Sequence, residues 1–253
     1  MRLIFWLPVF IVVAVLLFAA SLRMPARLLP FFLNEEQVQL SGISGAIGEG
    51  TAVRARVQTP GGYLHLGKLT WTLDPLSVLT LSPKVNLRSA WGDQRGTLDL
   101  RIDGDALAIQ NLDVSVDAAL LKRLLPIELS GRLELVFDEL LVTRRDVMAA
   151  DGRVVWQDAA WQSPQGVRVL GSYVATIDSP APRQVVADIV TLSGPVVAAG
   201  EVDLDEQRFN IDLFIESSTR ALDADLAQAL SLIASPEENG YRLRLDGEVA
   251  RGP

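Results

Sequence analysis

Thr97-Leu98-Asp99-Leu100-Arg101-Ile102-Asp103 alternates apolar and polar residues at a period of two. Phe209, Ile211, Leu213 and Ile215 do the same against Asn210, Asp212 and Glu216. Successive side chains of a strand point to opposite faces, so the pattern predicts strands with one buried and one wetter face. Working outward, similar stretches fall at 37–40, 53–57, 63–73, 107–116, 127–137, 147–156, 167–177, 185–192, 196–204 and 241–249. Between them stand turn signals: Pro60-Gly61-Gly62, Asp103-Gly104-Asp105, Asp151-Gly152 and Asn239-Gly240. Many short strands joined by short turns predict a mainly β, antiparallel body, because parallel units need a long crossover helix after each strand.

Three short helices are expected as interruptions: 74–79, with Asp74 as cap and Pro75 in the first turn; 118–125, ended by Pro126; and 221–233, with Thr219 as cap and Pro236 beyond its end. In the third, Leu222, Leu226, Leu230 and Ile233 share one face. Within 63–73 the alternation changes phase, since Leu64 and Leu66 are even while Leu69, Trp71 and Leu73 are odd. A bulge at Gly67-Lys68 would return both sets to one face.

Ahead of this body, residues 3–22 carry no charge and are bounded by Arg2 and Arg23. About 20 residues at about 1.5 Å each span about 30 Å, the hydrocarbon thickness of a bilayer. Ala19-Ala20-Ser21 offers a signal-peptide cleavage site, but the apolar run exceeds the usual length of a signal core, which favours an uncleaved transmembrane helix. Arg2 with the terminal amine nearly balances Arg23 and Arg27, and long downstream domains cross largely regardless of such charges. The expected layout is therefore a cytoplasmic start and anchor over 1–27, a linker over 28–34, and β-rich halves over 35–125 and 126–253 in the periplasm.

Composition narrows the chemistry. With 49% apolar residues the chain can bury a core. A net charge of −8 argues against a nucleic-acid partner, which needs a basic face. The absence of cysteine removes disulfides, thiolate metal sites and cysteine nucleophiles. His65 is the single histidine, too few for a multi-histidine metal site. Its alternation with Leu64 and Leu66 places it on a wet strand face.

The remaining candidates read as structure. Gly42, Gly45, Gly48 and Gly50 lack the lysine and helix of a phosphate loop, since Gly50-Thr51-Ala52-Val53-Arg54 continues as a strand. Glu35-Glu36, Asp138-Glu139 and Glu237-Glu238 lack the spaced oxygens of a calcium loop and are expected in solvated turns. Trp71, Trp91, Trp156 and Trp161 are expected as core plugs, with an apolar groove as the alternative. No catalytic, cofactor or metal residue is assigned, and the chain is expected not to be an enzyme.

Leu40-Ser41-Gly42, Leu129-Ser130-Gly131, Leu192-Ser193-Gly194 and Leu245-Asp246-Gly247 recur, and Gly67-Lys68-Leu69-Thr70-Trp71 is echoed by Gly152-Arg153-Val154-Val155-Trp156 at a nearly equal offset. This suggests two related halves. The apolar span, Pro25-Ala26-Arg27-Leu28-Leu29, Val38-Gln39-Leu40-Ser41-Gly42 and Leu66 to Ser77 together resemble protein N of the bacterial type II secretion system. Leu120–Pro126, Leu129–Leu133, Gly152–Trp156 with Ala159, Leu170-Gly171-Ser172-Tyr173 and Gly240-Tyr241-Arg242-Leu243 follow in the same order. The sequence departs from that pattern at Ile47, where a tryptophan is expected.

The resemblance implies an inner-membrane protein with a periplasmic domain in the apparatus that exports folded proteins across the outer membrane, with no catalytic residues. Two roles remain open: a scaffold that docks other secretion components by edge-strand or face contact, and a module that shields lipid along an apolar sheet face. The topology is testable at once. Alkaline phosphatase fused after Pro253 is expected to be active, and alkaline carbonate to leave the protein in the membrane. An inactive fusion, or release with a new N-terminus near Leu22, contradicts the anchor.

Overall fold

A computed structural model describes residues 23–31, 37–59, 62–123, 128–143, 146–163, 165–218 and 222–248. The expected span 3–22 lies outside the described residues, as do Glu35, Glu36, Pro60, Gly61 and Thr219. Among the described residues no helix is long and apolar enough to cross a membrane.

The alternating pattern becomes β1 (Val38–Gly45), β2 (Glu49–Thr59), β3 (Gly62–Leu73), β4 (Lys84–Trp91), β5 (Gln94–Asp103), β6 (Ala106–Asp117), β7 (Leu129–Thr143), β8 (Val147–Ser163), β9 (Gly166–Ala181), β10 (Gln184–Ser193), β11 (Val196–Asp205), β12 (Arg208–Ser217), β13 (Ser235–Glu237) and β14 (Gly240–Glu248). They form one 14-stranded sheet in chain order, except that β14 lies between β12 and β13. Antiparallel pairing holds at β1–β2, β2–β3, β3–β4, from β6 through β12, and at β12–β14 and β13–β14. Two strands escape the sequence pattern. In β4 only Val85 and Leu87 alternate before Ser89-Ala90 ends the signal, and β13 is three residues with Pro236 at its centre.

The helix Pro75–Leu79 forms as expected, with the Asp74 carboxylate accepting from the Leu76 amide at 3.0 Å. Ala118–Arg123 is a 3-10 helix rather than an α-helix. The expected helix 221–233 shortens to Ala224–Leu230, capped by Asp223, whose side chain accepts from the Asp225 amide. Leu232 and Ile233, beyond its end, are exposed.

The chain packs as two compact units, one running to Gly92 with Asp99–Gly104, the other comprising Asp93–Leu98 and the chain from Asp105. In the first, Ala26, Ala52 and Trp71 form a buried cluster against Leu29, Leu40, Ile43, Leu69, Val85 and Leu87. Ala26 and Leu29 belong to the 3-10 helix Ala26–Phe31, which is tied to the tip of the β1–β2 hairpin by an Ile47 amide bond to the Met24 carbonyl, 2.9 Å, and a Pro25–Ala46 bridge. Trp71 is 7% exposed, and its indole N–H donates to the Ile47 carbonyl at 3.0 Å.

Two glycines make this seat. Gly50 pairs with Trp71 across β2–β3, and a Cβ there would strike the indole ring. Gly67 sits at φ +68 and shares Ala90 with Lys68, so two residues oppose one, which is the expected bulge. Trp71→Ala is expected to cost about 3–5 kcal/mol, the range for emptying a large aromatic site. Gly50→Ala is expected to destabilise as well, because the ring must leave its seat. Urea melts of the purified chain measure both, and native-like melts would contradict this account of the core.

Candidate functional site

In the second unit, strand register sets apolar residues side by side. Leu133 pairs with Trp156 and Trp156 with Tyr173, while Ala198 pairs with Ile215. Two residues along, Val154 pairs with Ala175 and Ala175 with Ile189. Because side chains alternate, both rows lie on one face. Together with Leu226 and Leu230 of the helix Ala224–Leu230, they line an apolar cavity of about 360 Å³.

The polar atoms of this wall are already engaged. The Trp156 indole N–H donates to the Ser130 carbonyl at 3.1 Å, and the Tyr173 hydroxyl donates to the Val196 carbonyl at 3.0 Å. Burial pushes the Tyr173 phenol up to about 12. Beside them, Thr191 Oγ1 donates to the Ala198 carbonyl at 2.9 Å and accepts from its amide at 2.7 Å. The Trp156 and Tyr173 rings stand 6.1 Å apart and tilted by 45°.

The helix over the cavity is held by a polar clamp. Ser163, 3% exposed, donates to Asp225 Oδ2 at 2.9 Å, and Arg168 Nη2 donates to the same oxygen at 3.1 Å. Arg168 Nε also approaches Asp223 Oδ1 at 3.4 Å. The acid in the first turn thus serves both the helix terminus and the β8–β9 hairpin. Nothing in the sequence joins Ser163 to Asp225, since the two lie on distant segments with no shared periodicity.

The sequence candidates scatter over the two units. His65 is half-buried rather than on a wet face, because Trp91 stacks against it at 6.2 Å and 22°. Trp91 is 50% exposed and plugs no core, whereas Trp71 is a core residue and Trp156 a cavity wall. Gly42 and Gly45 lie within β1, and Gly50 is the second residue of β2. Asp138 and Glu139 are not in a turn: they lie inside β7, exposed, where the register with β8 shifts between Phe137 and Glu139. Glu237 closes β13, with Glu238 exposed in the turn that follows.

A charged cluster sits on β12 and β14. Arg242 grips Asp212 with two bonds, Nε to Oδ1 at 2.6 Å and Nη2 to Oδ2 at 2.8 Å, and Arg244 Nε adds a third at 3.3 Å. The Arg242 hydrogen bond, followed by that of Arg244 and the charge of both, holds the Asp212 carboxyl below the usual carboxylate range. A folded pKa below the unfolded one gives stability present above about pH 4 and lost as pH falls through the folded value. Asp212→Asn is therefore expected to be less stable than the wild type at neutral pH, with the gap closing on acidification. Thermal melts across pH measure this, and a gap that stays constant down to strong acid would contradict it.

Residues 36–244 match the family described as type II secretion system (T2SS), protein N. No curated protein and no solved structure matches the chain. The match runs from the approach to β1 into β14 and takes in the Trp71 seat, the cavity rows and the clamp, so the chain belongs to the type II secretion system protein N family.

Proposed function

We propose that this type II secretion component is a scaffold, anchored in the inner membrane by residues 3–22 and facing the periplasm, that supports export of folded proteins across the outer membrane by pairing its β1 edge with a strand of another component. The observation that carries the reading is an asymmetry between the two sheet edges. Edge strands present unpaired backbone groups and are ordinarily blunted by brevity, proline or charge. β13 is blunted in all three ways, with three residues that include Pro236 and Glu237. β1 is eight residues long, VQLSGISG, with no charge and no proline. It ends the strand order at the other side. An edge of that kind is a template for strand addition, in which main-chain bonds give affinity and alternate side chains give choice of partner.

The anchor fits this arrangement. The described chain is already tied to the β1–β2 hairpin at Met24 and Pro25, so a helix ending near Leu22 would hold β1 close to the membrane surface. The test adds the blunting that β1 lacks. Gln39 and Ser41 are exposed in β1, and the double variant Gln39→Lys, Ser41→Lys is expected to keep normal protein levels while reducing exoprotein secretion in cells that lack the wild-type copy. A photo-crosslinker at Ser41 is expected to capture another secretion component. Normal secretion by the lysine variant would count against the edge-pairing role.

A further inference from the structure

We propose that the cavity beneath the helix Ala224–Leu230 is a binding site for a single long hydrocarbon chain, with that helix as its roof. The proposal does not depend on the edge-pairing role of β1. Three observations on the second unit carry it. At about 360 Å³ the cavity, which opens to solvent, lies within the range of ligand sites, roughly 300–1,000 Å³.

The chemistry of the wall selects the occupant. Trp156 and Tyr173 are the lining residues whose side chains carry hydrogen-bonding groups, and each spends its hydrogen on a backbone carbonyl. The other lining side chains are aliphatic. A polar or charged ligand would lose its water and gain no partner, which makes its burial unfavourable. Hydrocarbon gains from leaving water without asking for a hydrogen bond.

The roof is attached independently of what lies under it. Leu226 and Leu230 face the cavity, while Asp225 is tied to Ser163 and Arg168 at the helix's first turn. A roof held only by apolar contacts would collapse into the space. One held by a polar clamp at its N-terminal end keeps the space open, and Asp225 is thereby a positioning residue.

The test uses the full-length chain in phosphatidylethanolamine–phosphatidylglycerol vesicles with two photoactivatable probes, a diazirine-bearing palmitate and a phospholipid carrying the same acyl diazirine. Labelled residues are mapped by mass spectrometry. Label is expected on cavity residues of β8 to β12 with at least one probe, displaced by excess unlabelled palmitate. Which probe labels distinguishes a free fatty acid from a lipid tail. Two filling substitutions, Ala198→Phe in the wall and Leu226→Trp in the roof, are expected to cut cavity labelling at least about tenfold, a loss of about 1.4 kcal/mol or more. Each is read only where its thermal melt matches the wild type. Ser163→Ala is expected to speed probe release while leaving the filled variants unaffected. Absence of label on the cavity residues with both probes, or labelling that persists undiminished in a folded filled variant, overturns the proposal.

Discussion

A sheet has two faces, and among the described residues of this protein no second sheet lies against either of them. That constraint governs the rest. Without an opposing layer, deep burial is scarce: among the described residues seven of the buried apolar ones are alanines, Ala26, Ala52, Ala55, Ala118, Ala150, Ala159 and Ala160, and no large side chain among them is sealed off completely. The hydrophobic gain per residue is correspondingly modest. The backbone ladder, extended strand by strand, carries an unusual share of the organisation.

In each unit a short helical segment packs over a tryptophan on the sheet, and the two differ in what they leave beneath. In the first, the segment Ala26–Phe31 closes over Trp71, whose indole fills the space above Gly50. In the second, the helix Ala224–Leu230 stands over Trp156, half-buried beside an open volume. Both indoles donate to a carbonyl of the preceding region of chain, Ile47 in one and Ser130 in the other. The same residue type with the same bond thus closes one unit and walls a cavity in the other. Burial around the ring decides which.

Most of the fold was legible because period-two alternation reports one physical fact, that one strand face is drier than the other. Leu98, Leu100 and Ile102 locate β5, and the phase change between Leu66 and Leu69 locates the Gly67 bulge. Legibility ends where structure comes from contacts between distant segments. Asp223 replaces Thr219 as cap because the helix begins where the clamp to Ser163 and Arg168 can form, and no local pattern encodes that meeting. His65 looked wet by alternation, yet Trp91 arrives from the end of β4, a strand too weakly patterned to be seen. The Leu-Ser-Gly recurrence is half legible. Gly42, Gly131 and Gly194 all take positive φ, at +67, +110 and +129, while Gly247 does not. The repeat marks a backbone need in three different settings.

The strand order carries a kinetic consequence. From β1 to β12, each strand follows its neighbour in both sequence and space, so each pairing joins segments that are consecutive in the chain. Local contacts close small loops, and small loops close quickly. A chain delivered end first can add each strand to an edge that is already standing, with no wait for a distant partner. The exception is the stretch between β12 and β13, where the chain leaves the sheet, forms the helix Ala224–Leu230, and returns with β14 inserted beside β12. The roof of the cavity is therefore carried by the segment between β12 and β13, near the end of the chain. In a chain delivered end first, the apolar rows of β7 to β12 would be complete before the roof, which follows them in the sequence, is laid over them.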